Sequence, residues 1–174
     1  MTSAKQTTNI PIARWNIKVN SVSIKNGESL SSVISPVFPG SEHVASGIIA
    51  PTAEGYFDLA LDFTDADVSF SYSLNIEPNA DSSVSDIIVT GYSIDDAEPV
   101  YFEEGDDKTL SDNVYYNSGV TNRTFRVYIK WDEFSDTATM DNSADTAATF
   151  DTAAGALLDV NITFTQIANQ ASTT

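Results

Sequence analysis

The sequence predicts an all-β protein: a two-sheet antiparallel sandwich of jelly-roll or immunoglobulin-like type, with a short helix or two in its loops. Two observations support this prediction. Apolar and polar side chains alternate with a period of two in several segments, and turn-forming residues separate those segments. The 174 residues fit one domain that is large enough to bury a core of its own.

Five segments show the alternation most clearly. They are residues 13–19, 56–63, 68–76, 124–131 and 158–166. In the first of them Ile17 and Val19 share one face, while Asn16 and Lys18 share the other. A strand with one apolar and one polar face is typical of a sheet that covers a core on one side. Shorter runs that we also interpret as strands are residues 21–25, 43–49, 87–94 and 100–103.

Turn-forming residues and two helix candidates account for the rest of the chain. Asn26-Gly27 predicts a hairpin after residues 22–24, and Asp95-Asp96 predicts a turn after residues 87–94. Further turn signals are Pro36, Pro39-Gly40, Glu54-Gly55 and Pro78-Asn79. The helix candidates are residues 107–116 and residues 136–154. The second is an acidic stretch of low complexity, which we interpret as a long loop with a helical turn.

The charge of the chain limits its partners. The formal net charge is −17, with a pI near 4.1. Such a surface repels nucleic acid and anionic membranes, so we expect neither as a partner. It also opposes self-association at low salt, so any polymer must be held together by buried contacts.

The absence of cysteine leaves the location of the chain open, since it fits a cytosolic protein and also an exported one. It excludes disulfides and thiol chemistry, and no stretch is apolar enough to span a bilayer. We interpret residues 1–6 as a mature N-terminus with an added methionine, left after removal of a signal peptide. The expectation is an extracellular, cell-surface or matrix protein that does not insert into a membrane.

Residues that could carry catalysis are few. His43 is the only histidine, and a single histidine cannot form a His₂ or His₃ zinc site. Carboxylate pairs are plentiful, but a chain this acidic places them together by chance, so we interpret them as solvated charges. Asp62, Asp65 and Asp67 form the tightest cluster and are the candidate for calcium, which prefers oxygen ligands. We expect no enzymatic activity and no cofactor.

Aromatic and lysine residues have structural interpretations. Trp15 and Trp131 lie on the apolar faces of their strands, which predicts core packing rather than a carbohydrate platform. Tyr115 and Tyr116 follow a polar segment and are predicted to be exposed contact residues. Alternation turns the lysines of the strands, Lys18 and Lys130, outward, so we expect no isopeptide bond.

The apolar phase slips near the N-terminus. Ile10 and Ile12 have even numbers, whereas Trp15 and Ile17, in the first strand, have odd numbers. A slip of one residue sends side chains to the opposite face, and Pro11 at the slip cannot donate to a strand ladder. The residues before it are therefore a frayed tail, a bulged strand or a segment that pairs elsewhere.

A series of short motifs resembles the TasA/camelysin family of exported proteins of Gram-positive bacteria. The motifs are residues 12–20 (IARWNIKVN), 55–62 (GYFDLALD), 68–72 (VSFSY), 90–94 (TGYSI), 127–131 (VYIKW) and the strand at 158–166. Their order along residues 12–168 carries the resemblance, since no single motif is diagnostic. The family's metallopeptidase label does not transfer, because this chain lacks the ligands.

The resemblance implies a jelly-roll subunit of a biofilm fibre that polymerises head to tail by donor-strand complementation. Residues 1–12 would be the donor segment and hinge, residues 13–168 the sandwich and residues 169–174 a tail. The implied donor and hinge residues are Ala4, Thr8, Ile10, Pro11 and Ile12. The implied partners are further copies of the chain and an accessory or anchoring subunit. The alternative function is a monomeric surface adhesin or carbohydrate-binding module.

Overall fold

The computed structural model describes residues 12–24, 36–82, 86–103, 105–132 and 157–167. These ranges contain nine β-strands and one 3-10 turn, Tyr116–Ser118. The strands are β1 Trp15–Val19, β2 Val22–Ile24, β3 Glu54–Ala66, β4 Phe70–Pro78, β5 Ile87–Ile94, β6 Val100–Tyr101, β7 Leu110–Val114, β8 Asn122–Trp131 and β9 Leu158–Gln166.

The strands form two antiparallel sheets. The larger has the order β2-β1-β3-β8-β5-β6, and the smaller has the order β7-β4-β9. Every pairing is antiparallel. The predicted all-β sandwich is therefore confirmed.

The pairings are nested, which is the arrangement of a jelly roll. β5 pairs with β6, β4 pairs with β7, and β3 pairs with β8, so that each hairpin encloses the one before it. β9 then pairs with β4 in the smaller sheet. This winding favours the jelly roll over the immunoglobulin-like alternative.

The core lies between the sheets, and the central strand of the smaller sheet contributes two of its largest fully buried side chains, Phe70 and Tyr72. Phe70 is 1% exposed and meets the rings of Trp15, Phe63 and Phe164 edge to face, at centroid distances of 5.7, 5.1 and 6.0 Å. Edge-to-face pairs of this kind add to the free energy gained from burial. Phe70 therefore joins strands of both sheets.

A β-bulge in β5 changes which of its residues face the core. Ile87 and Val89 are paired with core residues of β8, but the register shifts between Val89 and Gly91. Beyond the shift Tyr92 is paired with Val127, a core residue, and Gly91 is paired with Tyr128 on the outer face. One extra residue therefore inverts the alternation along this strand.

The predicted strand at residues 43–49 is wrong. The segment folds on itself through backbone bonds: Ser41 N–H donates to the carbonyl of Val44 at 2.8 Å, and Gly47 N–H donates to the carbonyl of Phe38 at 2.8 Å. Gly47 has φ +79°, a left-handed conformation that leaves the extended region. The apolar residues of this segment belong to a compact loop.

The predicted helix at residues 107–116 is also wrong, because this region forms β7. Leu110 and Val114 both face the core, and Asp112 lies between them. A spacing of four residues suits one face of a helix and one face of a strand equally, so the sequence did not separate the two. Only the short turn Tyr116–Ser118 is helical here.

The other turn predictions have mixed outcomes, and the turn at Glu54-Gly55 is wrong because both residues lie in β3. Asp95 and Asp96 form a turn with positive φ at both positions, as expected after β5. The hairpin between β1 and β2 turns at Asn20 and Ser21, which also have positive φ. Two predicted features, the Asn26-Gly27 turn and the acidic stretch 136–154, lie outside the described residues.

Candidate functional site

One edge of β9 has no neighbour among the described strands; we call it the free edge of β9, and it is the main candidate for a functional site. Nested pairing supplies β3 to β8 with their partners, and in an eight-stranded jelly roll the last strand also pairs with the first. Here β1 and β2 lie in the larger sheet beside β3. Among the described strands, β9 consequently has a neighbour on one side, β4, and none on the other.

The backbone groups at this edge belong to the even-numbered residues of β9. Asn79 N–H donates to the carbonyl of Leu157, and Ile167 N–H donates to the carbonyl of Ser69, each bond joining residues opposite one another. In an antiparallel pair, hydrogen-bonded positions alternate with positions whose N–H and C=O point away. The odd-numbered residues of β9 therefore bond to β4, and the even-numbered residues direct their N–H and C=O to the free edge.

The side chains of the same residues face the core and are incompletely covered. Of the inward-facing apolar residues of β9, only Ile162 is buried. The other three are half-buried and pack against the core: Leu158, Val160 and Phe164. The β4 residues opposite Val160, Ile162 and Phe164 are at most 4% exposed; they are Ile76, Leu74 and Tyr72. An additional strand beside β9 would cover the remaining apolar surface.

Other sheet edges in the described part of the chain offer much less. β2 has three residues, β6 has two and β7 has five, whereas β9 has nine. Short edge strands are a common protection against unwanted pairing, as are lysine and proline. β9 has neither residue, and Asp159 is its single charge.

An ion-pair clamp holds the chain where the N-terminal segment meets the sandwich. Arg14 donates to the Asp67 carboxylate through its backbone N–H, Nε and Nη2 at 2.9, 3.0 and 2.9 Å. Asp67 N–H returns a bond to the carbonyl of Arg14 at 3.0 Å. These bonds lower the pKa of Asp67 to about 2, because they favour its ionised form.

Of the predicted donor and hinge residues, the structure describes Ile12, which is two positions before Arg14 in the chain. Ile12 is 91% exposed, so at this point the chain does not pack on its own domain. Ala4, Thr8, Ile10 and Pro11 lie outside the described residues. The domain boundary near residue 13 stays a prediction.

The three carboxylates of the calcium candidate, Asp62, Asp65 and Asp67, are paired with basic side chains. Arg14 Nη1 lies 2.9 Å from Asp65 Oδ1, and Lys18 Nζ lies 3.4 Å from Asp62 Oδ2 and 3.6 Å from Asp65 Oδ2. With Asp67 held by Arg14, all three carboxylates have cationic partners. Within the described ranges no group of three or more histidine, aspartate or glutamate side chains is placed to hold a metal ion. The cluster therefore anchors β1 to β3.

His43 lies in an exposed turn. Its backbone N–H donates to Ser41 Oγ at 3.2 Å, and no hydrogen bond between described residues joins its imidazole to a hydroxyl or carboxylate. A general base needs such a nucleophile and an orienting group within reach. Two further carboxylates have structural partners, since Asp58 binds Arg126 and Asp95 binds Arg123.

The aromatic predictions hold. Trp131 is 3% exposed, and Trp15 is half-buried against Phe70, so both pack in the core. Tyr115 and Tyr116 are exposed, as expected. The lysines of the strands lie near carboxylates: Lys18 as described above, and Lys130 with its Nζ 4.0 Å from Asp132 Oδ1.

The sequence pattern does not predict a second surface, which lies on the larger sheet. Tyr56, Tyr128 and Tyr101 form a row across the outer face of the larger sheet, which we call the tyrosine row. Tyr56 is paired with Tyr128, and Gly91, between Tyr128 and Tyr101, is paired with both of them. Alternation assigns Tyr56 and Tyr128 to outward faces, but only the register between strands places them side by side.

Comparison with other proteins leaves the family open. No protein-family model matches this chain, and no curated protein is similar to it in sequence. No helix in the described ranges is long and apolar enough to cross a membrane. The site is therefore interpreted from its own geometry.

Proposed function

We propose that this chain is a structural, non-catalytic subunit of an extracellular fibre, and that residues 1–12 of one copy pair with the free edge of β9 in the next. The observation that carries the proposal is the nine-residue edge of β9, whose even-numbered backbone groups point away from β4. The TasA/camelysin resemblance agrees with this role but is not its basis.

The physical basis of the proposed contact is β-augmentation. An added strand gains main-chain hydrogen bonds along the edge, and its alternate side chains cover the half-buried apolar residues of β9. Ile10 is the largest apolar residue in residues 2–10 and would supply the main anchor. The clamp at Arg14 and Asp67 would set the point from which the donor segment leaves its own domain.

Head-to-tail donation explains why the product would be a filament. The donor and acceptor surfaces differ, and such contacts form open chains unless the rotation between copies closes a ring. Each copy carries a formal charge of −17, so the contact must overcome repulsion between subunits. Added salt screens that repulsion and should speed assembly.

Proline substitution at the edge tests the proposal. In Val160→Pro the N–H directed to the free edge is lost, while the ladder to β4 is kept because residue 160 does not bond to β4. Val160→Ala is the matched control, since it loses more side chain but keeps the N–H. We expect the native chain and V160A to form fibres in electron micrographs, and V160P to remain a folded monomer. Fibres from V160P would argue against this acceptor edge.

Disulfide trapping identifies the occupant of the edge. Because the chain has no cysteine, any disulfide that forms must join the introduced cysteines. We expect Thr8→Cys and Thr163→Cys, in a panel with neighbouring positions of β9, to give ladders of covalent multimers under mild oxidation. A disulfide within one chain, between T163C and a cysteine placed in residues 25–35, would show that the edge is filled by the same subunit.

A further inference from the structure

The tyrosine row lies on the opposite side of the larger sheet from the core, and the strand register fixes its composition. Tyr56 on β3 faces Tyr128 on β8, and Tyr101 on β6 follows across Gly91. Val37 extends the row at one end through an isolated bridge to Tyr56. Paired residues of antiparallel strands present their side chains on the same face, so these residues form one continuous strip.

Gly91 makes room for the end of the row. A Cβ atom at this position would lie 2.5 Å from the carbonyl oxygen of Val100 and 2.9 Å from Cδ1 of Tyr101. Without that atom the Tyr101 ring lies over the β5 backbone, 6.0 Å from the Tyr128 ring, and stays 63% exposed. Absence of a side chain at Gly91 therefore sets a tyrosine ring against the sheet.

Polar groups border the rings. Ser93 is 5% exposed, and its Oγ lies 3.5 Å from the Tyr128 hydroxyl. The Arg126 guanidinium lies 4.2 Å from the centre of the Tyr56 ring and binds Asp58 through two bonds of 2.8 and 2.9 Å. The hydroxyls and this ion pair provide donors and acceptors beside apolar ring surfaces.

The strip is electrically balanced on a protein that is strongly acidic. Asp58 and Arg126 neutralise each other, and the bonds from Arg126 lower the pKa of Asp58, which keeps the pair ionised. The chain as a whole carries −17. Long-range repulsion disfavours an anionic polymer or a second copy, but it does not act on an uncharged ligand.

We propose that the tyrosine row binds a neutral polysaccharide, with sugar rings against Tyr101 and Tyr128 and hydroxyl groups bonded to the polar border. Tyrosine suits this role because it combines a rigid apolar ring with a hydroxyl and has little conformational freedom to lose. The site lies on the outer face of the larger sheet, whereas the β9 edge belongs to the smaller sheet. A subunit would bind the sugar polymer whether or not it assembles into fibres.

The test is calorimetric titration of the full chain with two neutral hexasaccharides, cellohexaose and the hexamer of N-acetylglucosamine. We expect saturable binding of at least one, with affinity reduced about fivefold or more in Tyr101→Ala and in Tyr128→Ala. Tyr115→Ala is the matched control, because Tyr115 is an exposed tyrosine outside the row and should bind like the native chain. Thermal unfolding checks that each variant is folded. If Y128A does not fold, Y101A alone tests the proposal, because Tyr101 is exposed.

The results that overturn the proposal are specific. They are no binding of either hexasaccharide by the native chain, binding unchanged in Y101A, or binding lost in Y115A. A further contrary result is that Y101A alters the sedimentation of the protein without altering sugar binding, which would make the row an interface between copies. Defective fibres from V160P leave this proposal intact, so the two proposals fail independently.

Discussion

Arg14 and Asp67 are joined by four hydrogen bonds, three from Arg14 to the carboxylate and one from Asp67 N–H to the carbonyl of Arg14. The two residues lie 53 positions apart, on the segment before β1 and the segment after β3. Backbone groups of both residues take part. The clamp therefore fixes the path of the main chain as well as the direction of the side chains.

Loss of the Arg14 side chain should loosen the entry to β1 without unfolding the domain. Arg14→Gln removes the guanidinium bonds to Asp65 and Asp67, but the pair is exposed, and exposed pairs contribute little to global stability. We expect an almost unchanged melting temperature and faster hydrogen exchange of the amides of residues 14 and 67. Asp107→Asn, at another exposed aspartate, is the control. Equal exchange in R14Q and the native chain would contradict the clamp.

The ionisation of Asp67 should appear in acid. Its pKa is lowered from 3.8 to about 2, so its contribution to stability is present above pH 3.8 and is lost as the pH falls through about 2. Carboxyl ¹³C titration of the native chain should show a midpoint for Asp67 near 2, and in R14Q the midpoint should rise toward 3.8. An unshifted midpoint in the native chain would contradict the ion pair.

Phe70 should be one of the most sensitive positions of the core. Phe70→Ala removes a ring that contacts Trp15, Phe63 and Phe164, and a fully buried phenylalanine replaced by alanine costs about 3–5 kcal/mol. Urea unfolding measures the change. The exposed Tyr116→Ala should change the free energy of unfolding by less than about 0.5 kcal/mol. Similar values for the two variants would contradict the central place of Phe70.

Tyr72→Phe should not destabilise the protein. The Tyr72 hydroxyl is buried and has no hydrogen-bond partner in the described structure, and a buried unsatisfied hydroxyl costs about 1–3 kcal/mol. We expect Y72F to be as stable as the native chain at pH 7, or more stable by about 1 kcal/mol. A clear loss of stability would mean that the hydroxyl has a partner.

Tyr72 should also make the stability of the protein depend on pH in alkaline solution. Burial raises the pKa of Tyr72 from 10.0 to about 12, so the folded state keeps its proton where the unfolded state releases it. The native chain should therefore lose stability between pH 10 and pH 12, and Y72F should lose less. Urea midpoints over this range measure the difference.

Ile10 should be required for assembly and dispensable for folding. Ile10→Asp places a charge where the proposed donor segment carries its apolar anchor, and burial of that charge beside β9 would be costly. We expect a monomer with native thermal stability and no fibres in electron micrographs. Lys5→Ala, in the polar part of the same segment, should still polymerise. Normal fibres from I10D would mean that Ile10 is not the anchor of the donor segment.

Much of the fold could be predicted from alternation. The strand at residues 158–166 matches β9, and the segments at 56–63 and 124–131 lie inside β3 and β8. These strands each have one face on the core, so burial imposes a strict period of two on the sequence. β7 lacks that pattern because it is an edge strand whose middle three residues are exposed.

The sites could be predicted only in part, because they depend on pairing rather than on pattern. The phase slip at Pro11 predicts only that the N-terminal segment does not simply continue β1, and the edge of β9 that lacks a described neighbour follows from the strand order. The tyrosine row depends on the register between β3 and β8 and on the bulge beside Gly91. Neither leaves a local mark on the sequence.

The nested topology also bears on the order of events during folding. β9 binds a strand far away in the chain, as shown by the bond from Ser71 to Thr165, 94 residues later. Contacts across such separations form slowly, because the entropy cost of closing a long loop comes before the contacts stabilise the fold. The edge proposed to accept a neighbour exists only after β9 has docked on β4. Under this proposal a newly made chain could not accept the next copy until its own sandwich is complete, so only folded subunits would be followed by another subunit.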